Sequence, residues 1–209
     1  QMKRPLLFFR MLYQVVLRVF AVPYALVLRV HYHGIRNIPK RGPFIVCANH
    51  RSVLDPVTVA AAFRQHIYFM AKRELFTDHG AFAAGVITVL GAFPVQRDKA
   101  DLQSLRNALR ILRRGDVLGV FAQGRVQFDN APFRPKAGTV LLAAKAGVPI
   151  VPVSIFCEGA WRFGKCVTVR IGKPLPASAF ENAARDHKQL RSGTALLAST
   201  INRQLEEGH

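Results

Sequence analysis

Short apolar runs that alternate with helical patterns constrain the fold of this chain more than any other feature. The residues that read as buried strands are 44–48, 67–70, 92–95, 117–121, 150–156 and 167–171. The segments with helical periodicity are 56–63, 81–90, 100–113, 138–146 and 187–206. This alternation predicts a single α/β domain with a mixed, mostly parallel sheet flanked by helices.

One of these helices has a strongly patterned face. Within 100–113, the residues Leu102, Leu105, Leu109 and Leu112 recur at spacings that bring them to one side of a helix.

The first thirty residues differ from the rest, so the predicted division is 1–30 and 31–209. Arg10, Gln14 and Arg18 lie at four-residue spacing in an otherwise apolar segment, and Pro23 separates it from a second short helix over 24–29. A spanning helix would bury Arg18 in hydrocarbon, so an amphipathic two-helix element lying in the membrane interface is favoured. A signal peptide and a pair of helices covering the domain's own core are the alternatives.

The charge of the chain limits the classes of molecule that it is expected to bind. Thirty Lys and Arg residues against twelve Asp and Glu give a formal net charge of +18, which indicates a polyanionic partner surface. Anionic lipid and nucleic acid both fit, but zinc-finger spacing, RNA-recognition aromatic strands and a basic zipper are all missing from the sequence. An anionic membrane is therefore the expected partner, and nucleic acid is not.

The cysteine pattern does not predict a metal site. Cys47, Cys157 and Cys166 lie within or beside apolar runs and lack metal-ligand spacing, which is typical of free thiols in a reducing compartment. The sequence has no zinc, calcium or P-loop pattern, so neither a metal nor a nucleotide cofactor is expected.

A block of polar residues follows the apolar run 44–48 and includes a candidate general base. His50 and Asp55 suit this role because imidazole exchanges protons near neutrality and a carboxylate fixes its tautomer. No serine or cysteine nucleophile is evident and the G-x-S-x-G elbow is absent, so a substrate hydroxyl is the expected nucleophile. The alternative is a surface histidine in a turn and an aspartate that caps the helix beginning near Pro56.

Two further strands end in arginines. Arg97 follows the run 92–95, and Arg125 follows 117–121 directly after Gly124, which permits close backbone approach. Ligands of open α/β sheets collect outside the carboxyl ends of strands, and a guanidinium suits a phosphate there. Taken alone, Arg97 would more often be part of a surface salt bridge.

Four blocks in this order resemble the glycerolipid acyltransferases typified by 1-acylglycerol-3-phosphate acyltransferase. Asn49-His50 to Asp55 matches N-H-x4-D, and 91–98 matches G-x-F-x-x-x-R-D. Residues 121–126 are similar to the F-P-E-G block in its variant that continues with Arg, and 148–153 matches V-P-I-V-P-V. The resemblance covers about residues 31 to 175.

The resemblance implies a reaction and a role for each of these residues. His50, held by Asp55, would deprotonate the hydroxyl of lysophosphatidic acid for direct attack on acyl-CoA or acyl-carrier protein, giving phosphatidic acid without a further cofactor. Arg97 and Arg125 would hold the acceptor phosphate, helped by Gly124 and Lys72. The protein would work at the cytoplasmic face of the inner membrane.

One position departs from the family pattern. Gln123 stands where the family usually has glutamate, so the charge is lost while the size is kept. Gln123 and Asn49 are expected beside the substrate. The departure leaves open a different lysophospholipid or amino-acid lyso-lipid as acceptor, and a catalytically impaired lipid-binding relative.

Overall fold

The computed structural model describes residues 13, 15, 19, 29–72, 92–95, 102–128, 131–159 and 164–208. Its strands are β1 (Val30–His33), β2 (Phe44–Ala48), β3 (Ile67–Lys72), β4 (Ala92–Val95), β5 (Val117–Phe121), β6 (Ile150–Cys157) and β7 (Val167–Ile171). Its α-helices are α1 (Asp55–Ala62), α2 (Leu102–Arg113), α3 (Gly138–Ala146) and α4 (His187–Glu206). Two short 3-10 helices cover Ile35–Asn37 and Ala177–Phe180.

The strands form a single seven-stranded sheet in the order β1-β7-β6-β2-β5-β3-β4. Every neighbouring pair is parallel except β6 and β7, which run antiparallel. The prediction of one α/β domain with a mixed, mostly parallel sheet is confirmed.

The sequence of β2 explains its central position. All five of its residues are buried, as expected for a parallel strand covered by helices on both faces. Phe44, Val46 and Ala48 belong to the core on one face of the sheet, whereas Ile45 and Cys47 belong to the core on the other. A strand that is apolar on both faces can only lie in the interior of the sheet.

The predicted helix over 100–113 is observed as α2, and the leucines on its shared side differ in burial. Leu102 is 62% exposed, and the residues buried along α2 are Ser104, Ala108, Ile111 and Leu112. The contact face is therefore rotated by about a quarter turn from the leucine stripe. The small side chains of Ser104 and Ala108 allow the helix to lie close to the sheet, and Leu105 and Leu109 are left at its margin, partly buried.

Most of the predicted N-terminal element lies outside the described residues, as does the predicted helix over 81–90. Tyr13, Val15 and Val19 are described and helical. Tyr13 is buried in the core and its ring lies 4.0 Å from that of His66, whereas Val15 and Val19 are exposed. Among the described residues, no helix is long and apolar enough to cross a membrane.

The register of the sheet aligns the strand ends that carry the predicted site. Ala48 at the end of β2 pairs with Phe121 at the end of β5, and Lys72 at the end of β3 pairs with Val95 at the end of β4. Because these strands are parallel, the segments that follow them leave the sheet at the same edge.

Candidate active site

His50 and Asp55 form a buried pair at the carboxyl end of β2. His50 Nδ1 lies 2.8 Å from Asp55 Oδ2, and the two residues are 8% and 0% exposed. The same carboxylate oxygen accepts hydrogen bonds from the backbone N–H groups of Arg51 and Ser52. Because that oxygen acts as an acceptor, Nδ1 carries the proton and Nε2 is left as the basic nitrogen.

This geometry excludes the surface-turn alternative for His50 and Asp55. His50 is buried, and Asp55 is the first residue of α1. Its carboxylate contacts N–H groups that precede the helix rather than those of the helical turn that follows. Asp55 therefore organises the loop before α1 instead of capping that helix.

Asn49 fixes the point where the chain leaves β2. Its side-chain amide donates to the Ile155 carbonyl at 2.9 Å and accepts from the Ile155 N–H at 2.7 Å. Asn49 thus extends the pairing of β2 with β6 by a side-chain equivalent of one more ladder step. A substrate contact for Asn49 stays a prediction.

Arg51 was not singled out from the sequence, but it is buried beside His50. Its Nη2 donates to the carbonyls of Gly159 at 2.8 Å and Cys157 at 3.3 Å. These bonds hold the 49–55 loop against the end of β6. An arginine in a polar block reads as solvated or phosphate-binding, and the sequence gives no signal that this one turns inward.

The His50 imidazole packs on aromatic rings of the sheet. The His50 ring stacks on Phe121 with centroids 4.2 Å apart and an interplanar angle of 19°, and Phe121 stacks on Phe69 at 5.6 Å. Gly119 of β5 makes this arrangement possible, because a Cβ at that position would overlap the Phe69 ring.

Gln123 lies in the turn after β5 and contacts the 49–55 loop. The backbone N–H of His50 donates to Gln123 Oε1 at 3.1 Å, and the Gln127 N–H donates to the His50 carbonyl at 2.7 Å. The segment after β5 is therefore bonded to both backbone groups of His50. A glutamate at position 123 offers the same acceptor oxygen, so the loss of charge leaves this contact in place.

The predicted phosphate-binding residues are only partly described. Gly124 has φ +76°, a left-handed conformation suited to glycine, and Arg125 follows it as an exposed side chain. Lys72 ends β3, but its side chain lies outside the described residues, as does the whole of Arg97. Their contacts with a phosphate stay predictions.

The described part of the chain contains no group of three or more His, Cys, Asp or Glu residues that could hold a metal ion. Cys47 and Cys157 are buried free thiols, and Cys166 is partly exposed. Burial raises the pKa of Cys47 to about 12 and also raises the pKa of Cys157, so both thiols are neutral near pH 7. Neither is suited to act as a nucleophile.

Comparisons with known proteins match the chain to a family. A family model described as Acyltransferase matches residues 29–156. The 1-acyl-sn-glycerol-3-phosphate acyltransferase of Bacillus subtilis (strain 168) is 24% identical over 183 residues, which cover 85% of this chain and 87% of that protein. The alpha enzyme of the same name from Ovis aries is 28% identical over 178 residues, 79% of this chain and 60% of that protein.

A solved structure extends the likeness to three dimensions. The crystal structure of the 1-acyl-sn-glycerophosphate (LPA) acyltransferase PlsC from Thermotoga maritima has a TM-score of 0.75 and 27% sequence identity. The match covers 95% of this chain and 80% of that one. The resemblance inferred from the four sequence blocks is confirmed. The chain belongs to the Acyltransferase family and is an acyltransferase.

Proposed function

We propose that this protein transfers a fatty acyl group to the free hydroxyl of lysophosphatidic acid and so produces phosphatidic acid for phospholipid biosynthesis. The observation that carries the proposal is the buried His50–Asp55 pair, 2.8 Å apart, at the carboxyl edge of the sheet. The names of the relatives from Bacillus subtilis and Thermotoga maritima support the choice of acceptor.

The proposed mechanism uses the imidazole twice. Nε2 of His50 takes the proton of the acceptor hydroxyl while its oxygen attacks the thioester carbonyl carbon, and Asp55 stabilises the imidazolium. The tetrahedral intermediate collapses by breaking the carbon–sulfur bond. The imidazolium returns its proton to the leaving thiolate, and His50 is regenerated without a covalent acyl-enzyme.

Acyl-CoA or acyl-carrier protein would be the donor, since the direct attack requires only an acyl thioester.

The cations at the same edge of the sheet would hold the acceptor phosphate. Arg125 and Gly124 follow β5, Lys72 ends β3 and Arg97 follows β4. A guanidinium paired with a phosphate monoester supplies charge-assisted hydrogen bonds and orients the hydroxyl toward His50.

The segment before β1, which is the predicted element 1–30 without Val30, would seat the rest of the protein on the cytoplasmic face of the inner membrane. Tyr13 packs on the core, and Val15 and Val19 point roughly to the opposite side of a helix and are 57% and 61% exposed. One side thus faces the domain and the other presents apolar side chains. The net charge of +18 favours an anionic surface.

The test is thiol release from palmitoyl-CoA in detergent micelles, with and without lysophosphatidic acid. We expect acceptor-dependent release that falls by about 10²- to 10⁴-fold in His50→Ala. The matched control is His33→Ala, because His33 is exposed on β1 at the far side of the sheet. Circular dichroism verifies that each variant is folded.

Each outcome has a defined meaning. Release without acceptor would identify a thioester hydrolase and contradict the proposal, as would equal activity in both variants. If palmitoyl-CoA is inert, the same assay with palmitoyl-acyl-carrier protein decides the donor, and other lysophospholipids decide the acceptor. Absence of turnover with every donor and acceptor would favour a lipid-binding protein.

A further inference from the structure

A lysine that the sequence motifs do not include lies over the turn after β5. The ammonium nitrogen of Lys136 is 3.2 Å from the position that a Cβ at Gly124 would occupy, and its Cε is 3.3 Å away. The stem of the side chain therefore lies across the backbone of Gly124. A Cβ at position 124 would press against this side chain, in addition to the strain of φ +76°.

This approach is fixed by the backbone rather than by the flexible side chain alone. The Lys136 N–H donates to the Ala122 carbonyl at 2.8 Å, so the returning loop is bonded to the first residue after β5. Three residues earlier, Phe133 is held by Asn202 of α4, which accepts from its N–H at 2.7 Å and donates to its carbonyl at 3.1 Å. The loop is thereby anchored at Lys136 itself and three residues before it.

The Lys136 ammonium lies next to a turn that is hydrogen-bonded to the 49–55 loop. Gln123, beside Gly124, accepts from the His50 N–H, and Arg125 follows on the other side. Within the described part of the chain, no carboxylate lies within 4.0 Å of Lys136 Nζ. Lys136 is exposed, so its charge is accessible to a ligand at this edge of the sheet.

We infer that Lys136 binds the phosphate of the acceptor together with Arg125 and makes the enzyme selective for acceptors with a phosphate monoester. Two cations beside a glycine turn match the two negative charges of that group, whereas a zwitterionic lysophospholipid brings an ammonium of its own that they would repel. This inference rests on the proposed function and names the residue that would set its acceptor preference.

The experiment compares Lys136→Met and Lys136→Arg with Lys145→Met, a matched control because Lys145 is exposed on α3. In Lys136→Met, the KM for lysophosphatidic acid should rise by roughly tenfold to a hundredfold while kcat changes by no more than about threefold. Lys136→Arg should recover most of this loss. Preference for lysophosphatidic acid over lysophosphatidylcholine should fall in Lys136→Met, and Arg125→Ala should show the same pattern.

A second measurement separates failure of this inference from failure of the proposed function. Calorimetric titration with glycerol 3-phosphate measures headgroup binding without turnover, and Lys136→Met should weaken it relative to the wild-type protein and to Lys145→Met. An active wild-type enzyme with Lys136→Met indistinguishable from Lys145→Met overturns the inference alone. An inactive wild-type protein contradicts the proposed reaction, and the titration still decides the role of Lys136. Absence of any glycerol 3-phosphate binding by that protein overturns both.

Discussion

At the scale of single residues, the most informative contact is the one between Gln123 and the backbone of His50. Gln123 Oε1 accepts the His50 N–H, which positions His50 through its main chain. The same bond is available to glutamine and glutamate, so the substitution at this position preserves geometry and removes charge.

We therefore predict that Gln123→Glu keeps the fold and shifts the pH dependence of catalysis. Position 123 contacts the His50 main chain, so a carboxylate there would add negative charge near the reacting groups, and the acidic limb of kcat/KM should move to higher pH. The measurement is a pH profile of acceptor-dependent thiol release. Gln127→Glu serves as the control, because Gln127 contacts His50 through its backbone N–H. An unchanged profile and unchanged acceptor preference would show that position 123 does not act on the reacting groups.

At the scale of elements, Asn49 joins β2 to β6 beyond the end of the regular ladder. We predict that Asn49→Ala lowers the free energy of unfolding by about 2–4 kcal/mol, because both backbone groups of Ile155 lose their partner in a buried position. Urea unfolding followed by circular dichroism measures the change. A loss of activity without loss of stability would instead assign Asn49 to substrate binding.

The glycine of β5 gives a second prediction at this scale. Gly119→Ala should lower the free energy of unfolding by about 1–3 kcal/mol and reduce turnover, because the new methyl group displaces Phe69 and with it the Phe121 ring beneath His50. Thermal unfolding and kcat are the two readouts. Gly138→Ala is the matched control, since nothing lies within 4 Å of its Cβ position. Wild-type turnover in Gly119→Ala would show that the aromatic stack does not position the imidazole.

The elements differ in how far the sequence alone reveals them. The interior strands were predicted because each is an apolar run that both faces of the sheet can bury. β1 was missed because Val30–His33 alternates partly buried and exposed residues and depends on a partner, β7, far along the chain. Leucine spacing groups four side chains on one side of α2 but does not reveal that Ser104 and Ala108 are buried as well.

The same distinction holds for the candidate site. The contact of His50 with Asp55 is local, so a five-residue spacing could indicate it. The position of Arg51 depends on where β6 ends, and that of Lys136 depends on where the loop after residue 130 meets the turn after β5. No sequence motif encodes either arrangement.

At the scale of the whole molecule, stability should depend on the protonation of a buried thiol. Burial raises the pKa of Cys47 from 9.0 to about 12. The contribution of the neutral thiol to the free energy of unfolding is therefore fully present below pH 9.0 and is lost as the pH rises toward 12. In this window the thiol should lower the free energy of unfolding by about 1.4 kcal/mol per pH unit. Urea unfolding between pH 8 and 10.5 should show a smaller decline for Cys47→Ala than for the wild-type protein. Cys166→Ala should decline as the wild-type protein does, and identical slopes for all three would refute the prediction.

The strand order also has a consequence for how the protein is made. β2 lies between β5 and β6, and each of these neighbours is about 70 or more residues further along the chain. During synthesis on the ribosome, an apolar strand with unpaired edges therefore emerges well before either of the segments that will cover it. The strand that leads into His50 is thus open to aggregation in the nascent protein, and a chaperone that shields short apolar runs would protect it until β5 arrives.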